Sequence, residues 1–191
     1  MEELRAQIVS KREQNVERRY FLPQQALYEL MDEVLVEKAV RGAGIEAHNV
    51  REVTKEIMKG AQKIFAILLI IRQPQSILAF IQDDQLQSSL DHKLPFSLGK
   101  LQKLLASAIF GQEFYEKQWE FAAPVFSKRL LPRVLQDDII LPFVEDKEGG
   151  EGGFGVVHII KVEPYHRSFG QLVSWRLSTG KPMCFNNMYL Y

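Results

Sequence analysis

The glycines near position 150 form the pattern in this chain that could bind a ligand. Residues 149–157 read GGEGGFGVV, which contains the spacing GxGxxG followed by Val157. Because glycine has no side chain, its backbone can turn sharply and bring successive N–H groups close to phosphate oxygens. We therefore expect a nucleotide to bind at Gly149, Gly150, Glu151, Gly152, Gly153, Phe154, Gly155 and Val157.

The flanking residues distinguish between kinds of phosphate-binding motif. A dinucleotide fingerprint opens a helix after its last glycine, whereas Val156–Val162 is rich in β-branched residues and predicts a strand. The preceding segment, Asp138–Val144, also predicts an extended chain. A Walker A loop is excluded at Ser178–Lys181, because Pro182 stands where Ser or Thr is required. The expected arrangement is a strand, a glycine turn and a second strand.

A turn or linker without any ligand is the alternative interpretation of the same glycines. Phe154 favours the binding interpretation, because an aromatic side chain at a loop tip can exclude water from phosphates. Val157 suits the apolar roof over an adenine ring. The spacing of the glycines alone does not decide between a ligand-binding loop and a turn without a ligand.

A wider stretch of sequence resembles the start of a kinase domain found in large fungal protein families. Residues 139–145 read IILPFVE and residues 152–169 read GGFGVVHIIKVEPYHRSF, while residues 118–126 read QWEFAAPVF. The family has an LPF strand, a GGFG turn and a His-containing loop, which matches Tyr165–Phe169. The resemblance covers residues 117–170 and implies ATP-dependent Ser/Thr phosphorylation with Mg²⁺ in a full-length protein. It also implies that the helices before the hairpin precede the kinase N-lobe.

The residues that perform kinase chemistry are missing from the sequence given. Phosphoryl transfer needs a lysine on the third strand, a catalytic aspartate and metal-holding Asn and Asp residues. Where the resemblance predicts Ala-x-Lys, the chain reads GQLVSWRL over residues 170–177, and Arg176 aligns only loosely with the lysine. An arginine differs from a lysine in shape, so the replacement is not conservative. We expect an inactive chain with weak or absent ATP binding, and Mg²⁺ only in a full-length kinase.

The tail after residue 171 departs abruptly from the family pattern. Its last residues, 183–191, read MCFNNMYLY and show neither a helix nor a strand period. Val173-Ser174 is what a ribosome would read through an in-frame GTAAGT splice donor. Intron read-through with premature termination is therefore one hypothesis, and a genuine short isoform is the other.

Composition limits the other function classes. The 191 residues carry 24 basic and 24 acidic side chains, which gives no electrostatic case for nucleic acid or an acidic membrane. The single cysteine, Cys184, fits a reducing compartment. The N-terminus lacks an apolar signal core, and the apolar run Ile64–Ile71 is too short to span a bilayer. We expect a cytoplasmic or nuclear protein.

Helical periodicity dominates the first half of the chain. Apolar spacing predicts helices over the ranges 2–19, 24–40, 49–71, 75–85 and 98–110. The second half of the third helix becomes apolar on all sides and should form the buried centre. These helices could bind a protein partner.

Candidate metal ligands are weak throughout. The acidic pairs Asp83-Asp84 and Asp137-Asp138 have no suitable partners nearby in sequence, and the histidines lack zinc spacing. No metal site and no catalytic residue is predicted.

The sequence thus predicts a mainly α fold in which a helical region precedes a β-hairpin equivalent to the first two strands of a kinase N-lobe. The expected division is a helical region at 1–116, a connecting segment at 117–138, the start of a kinase domain at 139–170 and an atypical tail at 171–191. The functional hypotheses are a truncated kinase-family chain or, alternatively, a non-catalytic helical interaction module with a vestigial hairpin.

Overall fold

Helices dominate the computed structural model, which describes residues 1–83, 89–126, 136–152, 155–167 and 174–176. The α-helices are α1 Glu2–Ser10, α2 Gln24–Leu30, α3 Glu33–Gly42, α4 Val50–Gly60, α5 Gln62–Ile70, α6 Ile77–Ile81, α7 Leu98–Leu104 and α8 Ala108–Gln118. The strands are β1 Glu13–Gln14, β2 Tyr20–Phe21, β3 Phe143–Gly152, β4 Gly155–Val162 and β5 Ser174–Arg176. The predicted mainly α class is confirmed.

Two compact units divide these elements. The first contains Met1–Arg12 and Gln24–Ala122, and the second contains Glu13–Pro23 together with the described residues from Ala123 onward. Residues 13–23, which the sequence places within a helical region at 1–116, therefore belong with the β-hairpin. The predicted connecting segment at 117–138 begins inside α8 and continues as a 3-10 turn, Trp119–Phe121.

The first predicted helix, 2–19, is wrong beyond its first half. Helix α1 ends at Ser10, and β1 and β2 then pair antiparallel through Glu13↔Phe21 and Gln14↔Tyr20. The periodic apolar residues in this segment serve a turn and two short strands, because Asn15 makes local hydrogen bonds that compete with helix.

Three of the longer predicted helices are each divided in two. Asp32 interrupts 24–40, because its carboxylate accepts hydrogen bonds from Val34 N and Leu35 N and so starts α3. The helix predicted over 49–71 breaks between α4 and α5 at Ala61, whose backbone dihedrals are not helical. Residues 98–110 are divided by Ala106, which has a positive φ of 47°.

Helix α5 is the buried centre of the first unit, as its sequence predicts. Every side chain from Ile64 to Leu69 is at most 1% exposed. Asp91, on a distant 3-10 turn, caps this helix by accepting hydrogen bonds from Lys63 N at 3.0 Å and Ile64 N at 3.1 Å. An apolar helix therefore begins with its N–H groups satisfied from outside its own sequence.

A cluster of aromatic side chains forms a second part of the core of the first unit. Phe80 stacks on Phe114 with ring centroids 5.4 Å apart, and Phe96 lies 5.8 Å from Phe80. Gln118, fully buried, accepts from Phe96 N at 2.8 Å and donates to Phe96 O at 3.0 Å. This paired amide contact fixes the chain before α7 against α8.

None of the helices in the described ranges combines the length and apolarity needed to cross a membrane.

Candidate functional site

The glycine motif lies at the closing end of an antiparallel hairpin in the second unit. Strands β3 and β4 pair over their whole length, ending with Gly150↔Val157, Glu151↔Val156 and Gly152↔Gly155. Two strands flank the glycine motif, as predicted, but Gly149–Gly152 lie within β3, which runs over Phe143–Gly152 and not over the predicted Asp138–Val144. Gly153 and Phe154, the two residues between the last pair, lie outside the described residues.

Strand β4 forms because its β-branched residues suit a pleated surface with one buried side. Ile160 and Val162 are each 4% exposed, whereas Lys161 between them is exposed. On β3, Phe143 is 3% exposed and pairs with Val162. The base of the hairpin is thus anchored in an apolar core, and the glycine end lies farthest from it along the strands.

Two irregularities interrupt the β3–β4 register. The ladder shifts between Phe143 and Glu145 and again between Glu148 and Gly150, so one residue of β3 lacks a partner at each place. Gly149, the first residue of the predicted site, is the extra residue at the second shift and is exposed. A bulge bends the strand that carries it and increases its twist, so the glycine end departs from a flat ladder.

Charged side chains cross the exposed surface of the same hairpin. Lys161 Nζ donates to Glu145, Lys147 Nζ lies 3.2 Å from the same carboxylate, and His158 Nδ1 lies 2.8 Å from Asp146 Oδ1. The hydrogen bond from Lys161, followed by that from Lys147, holds the pKa of Glu145 below its ordinary value. These pairs leave both hairpin lysines engaged with a carboxylate.

A third strand lies beside β4. Strand β5 pairs with it antiparallel through Val157↔Arg176, His158↔Trp175 and Ile159↔Ser174. The sheet order is therefore β3-β4-β5. Part of the tail after residue 171 is therefore a strand. The remainder of that tail, with Cys184, lies outside the described part of the chain.

The loop after β4 contains His166, and this side chain is a packing centre of the second unit. It is 2% exposed, its ring lies edge-on to Phe21 at 5.6 Å, and its Nδ1 lies 3.1 Å from Pro124 O. A hydrogen bond to that carbonyl requires the proton on Nδ1. The histidine of the predicted family loop is therefore positioned inside the core.

Glu163 stabilises the turn of this loop through hydrogen bonds from the backbone of the loop. Its carboxylate accepts hydrogen bonds from Tyr165 N at 2.8 Å and His166 N at 3.1 Å, although the residue is only 3% exposed. Burial raises the pKa of Glu163 above its ordinary value, and the nearby Glu13 carboxylate acts in the same direction. The two N–H donors and Arg167 oppose that shift.

Two open grooves lie in the first unit. One, of about 550 Å³, is lined in part by Ile70, Ile71, Arg72 and Phe110. The other, of about 570 Å³, contains Lys100, whose Nζ lies 3.7 Å from Asp83 Oδ2. One member of the first acidic pair is therefore bound to a lysine, and Asp84 lies outside the described residues.

Some polar residues with structural roles could not be found from local sequence. Asp91, which is half-buried, is one; desolvation raises its pKa and also lowers the pKa of Lys63 beside it. Glu120, 6% exposed, is another and binds Arg12 Nη1 at 3.0 Å and Lys117 Nζ at 2.8 Å. Lys63 and Arg12, the partners of Asp91 and Glu120, are far from them in the sequence, and Lys117 lies one turn before Glu120. The local sequence therefore does not reveal these contacts.

Within the described ranges, no group of three or more His, Cys, Asp or Glu side chains is arranged to hold a metal ion. Comparison of the chain with protein-family models, with curated proteins and with solved structures finds no match.

Proposed function

We propose that this chain is a protein-kinase-family chain whose hairpin is the nucleotide-covering part, and that the chain as given does not transfer phosphate. The observation that carries the proposal is the position of the glycine motif, which spans the closing end of an antiparallel strand pair. A strand after the last glycine distinguishes a kinase loop from a dinucleotide-binding loop, in which a helix follows.

The third strand adds support of a different kind. In a kinase, the strand after the glycine hairpin carries the lysine that holds the nucleotide phosphates. Here β5 occupies the place next to β4, and its last residue, Arg176, pairs with Val157. The basic residue in this strand is therefore an arginine, and a guanidinium group differs in shape from the ammonium group of a lysine.

Weak nucleotide binding follows from the charges on the hairpin. Glu145 engages both Lys147 and Lys161, so neither lysine is a free counter-ion for phosphates. Backbone N–H groups alone provide neutral hydrogen bonds, which contribute less than charge-assisted ones. We therefore expect ATP to bind this chain at millimolar concentration, through contacts confined to the glycine end.

An NMR titration of the isotope-labelled full chain tests this proposal. Adding ATP with Mg²⁺ should shift the amide signals of residues 149–157 at millimolar concentration, and AMP should shift them less because it lacks two phosphates. Gly152→Val should abolish the shifts, whereas Gly99→Val, at an open position in α7, should retain them. Unshifted amides in this range would refute nucleotide binding, and saturation at micromolar ATP would refute the expected weakness.

The family activity is Ser/Thr phosphorylation and belongs to a longer product. Such a product would carry a lysine-bearing strand and the catalytic and metal-holding residues that the given sequence lacks. Sequencing the mature transcript across codons 165–191 tests this, since splicing near Gln171 would continue the kinase pattern. A message that encodes Tyr191 as its last residue would leave the chain without catalysis. The proposal places the protein in the cytoplasm or nucleus, which a tagged fusion would check.

A non-catalytic interaction module is the second candidate, and the 550 Å³ groove favours it. Ile70 and Phe110 are half-buried at its wall, and Ile109, the residue before Phe110, is 70% exposed. Apolar side chains at an open groove are typical of protein-binding surfaces. Two results together would favour this candidate over the first. The hairpin would not bind ATP, and a protein partner that co-purifies with the unaltered chain would no longer bind the Phe110→Asp variant.

A further inference from the structure

We infer that residues Glu13–Pro23, the N-terminal strap, hold the glycine hairpin in place, so that release of the strap loosens the hairpin. The strap precedes the hairpin by more than a hundred residues in sequence, yet it belongs to the same compact unit. The inference concerns regulation of the site described above and rests on the proposed function only in assigning that site a nucleotide.

The strap is hydrogen-bonded to the chain that leads into β3. Val16 N donates to Phe143 O at 2.8 Å, and Asn15 Nδ2 donates to Leu141 O at 3.1 Å. Arg19 Nη2 donates to Asp138 O at 2.6 Å. Three carbonyl groups before and at the start of β3, at residues 138, 141 and 143, thus accept hydrogen bonds from the strap.

Asn15 couples the shape of the strap to these contacts. Its Oδ1 accepts from Glu17 N at 3.0 Å and Arg19 N at 2.9 Å, while its Nδ2 reaches Leu141 O. The residue is 6% exposed, so a lost hydrogen bond would leave a poorly hydrated polar group. One amide side chain therefore determines both the turn of the strap and its attachment.

The C-terminal end of the strap contacts the loop that follows β4. Phe21 is fully buried and packs edge-on against His166, in the loop that follows β4. His166 O in turn accepts from Phe126 N at 2.8 Å, and the Phe126 ring lies 5.7 Å from that of Phe143. The strap thus contacts the chain that enters β3 and the chain that leaves β4.

Both ends of the strap continue into helices of the first unit. Helix α1 ends at Ser10, with two residues between it and the strap, and α2 begins at Gln24, immediately after the strap.

Hydrogen exchange on the full chain tests the inference without any nucleotide. Asn15→Ala should accelerate exchange of the β3 and β4 amides by about tenfold to a hundredfold, because it removes a buried hydrogen-bond network. The amides of α5 should exchange as in the unaltered chain. Asn15→Asp keeps the acceptor for the strap turn but replaces the donor to Leu141 O, so it should also loosen the hairpin.

The matched control is Asn49→Ala, because Asn49 precedes α4 without making a capping hydrogen bond through its side chain. It should leave the hairpin amides unchanged. Unchanged hairpin exchange in Asn15→Ala would overturn the inference, as would equal acceleration in α5, which reports unfolding of the whole chain. If Asn15→Ala does not fold, Arg19→Ala removes only the bond to Asp138 O. Faster exchange confined to the hairpin amides of Arg19→Ala would then support the inference. Unchanged exchange of those amides would overturn it. Because ATP is absent, failure of nucleotide binding and failure of the strap are separate results.

Discussion

The same substitution is expected to have opposite effects at two helical glycines. In α8, a Cβ added to Gly111 would lie 2.9 Å from both the N and the Cα of Gln102, in α7. In α7, a Cβ added to Gly99 would meet nothing within 4 Å. Gly111→Ala therefore forces two helix backbones apart, whereas Gly99→Ala only exchanges one helical residue for a better helix former.

The magnitudes follow from two terms. Alanine is favoured over glycine inside a helix by about 1 kcal/mol, and by less in the first turn, where Gly99 lies. Overpacking costs about 1–3 kcal/mol, and the upper end applies at Gly111 because backbone atoms cannot rotate away as a side chain can. We expect Gly99→Ala to raise the free energy of unfolding by about 0.5 kcal/mol and Gly111→Ala to lower it by about 2 kcal/mol.

Urea unfolding followed by the fluorescence of Trp119 measures both effects. Trp119 directly follows α8 and is 5% exposed, and Trp175→Phe would make it the only tryptophan of the chain. Both glycine variants are compared in that background. If Gly111→Ala stabilises the first unit as much as Gly99→Ala does, the close approach of α7 and α8 is refuted.

Two buried carboxylates lead to further predictions. Glu120→Ala should destabilise the first unit by about 2–3 kcal/mol, because it leaves the half-buried Arg12 and Lys117 without their shared carboxylate. This loss is smaller than the usual cost of breaking a buried ion pair, because the Lys117 ammonium can be hydrated again. Glu163→Gln should stabilise the second unit at neutral pH. Burial raises the pKa of Glu163 above its ordinary value of 4.5, so the native state binds the proton more tightly than the unfolded state, and stability falls as the pH rises through the native pKa. The advantage of the variant should disappear in acid, and urea unfolding at several pH values measures it.

Each carboxylate has a matched control in an exposed position. Glu113→Ala, on the helix that leads into the 3-10 turn of Glu120, should leave the free energy of unfolding within about 0.5 kcal/mol of that of the unaltered chain. Glu148→Gln, on β3, is the counterpart for Glu163. Equal losses for Glu113→Ala and Glu120→Ala would contradict the buried ion network. A Glu163→Gln chain that is less stable at neutral pH would show that the loop needs the full negative charge.

The elements that the sequence predicts well are those whose signal is local. The β-branched run predicts a strand over Val156–Val162, within one residue of the observed β4, whereas β3 runs over Phe143–Gly152 instead of the predicted Asp138–Val144. The uniformly apolar residues Ile64–Leu69 likewise identify the buried centre. In both cases the residues that determine the structure lie within the element itself.

The elements that the sequence predicts poorly depend on contacts between distant residues. Periodicity over 2–19 suits a helix, but Asn15 bonds to Leu141 O, which is 126 residues away. The break before α5 is supported by Asp91, 28 residues from Lys63. Asp32 is the exception, because an Asp before an apolar run is a local helix-start signal that periodicity alone overlooks.

The discontinuity of the second unit determines where a fragment that carries the glycine hairpin must start. A fragment that begins at residue 139 would keep the glycine motif but lose the donors that bind Leu141 O and Phe143 O. It would also lose Phe21, whose ring packs against His166. Since Asn15 and Phe21 are buried, the loss of their contacts costs more than the loss of similar contacts at a surface. Any measurement of nucleotide binding must therefore use the chain from its N-terminal strap onward, because the hairpin alone lacks part of its own core.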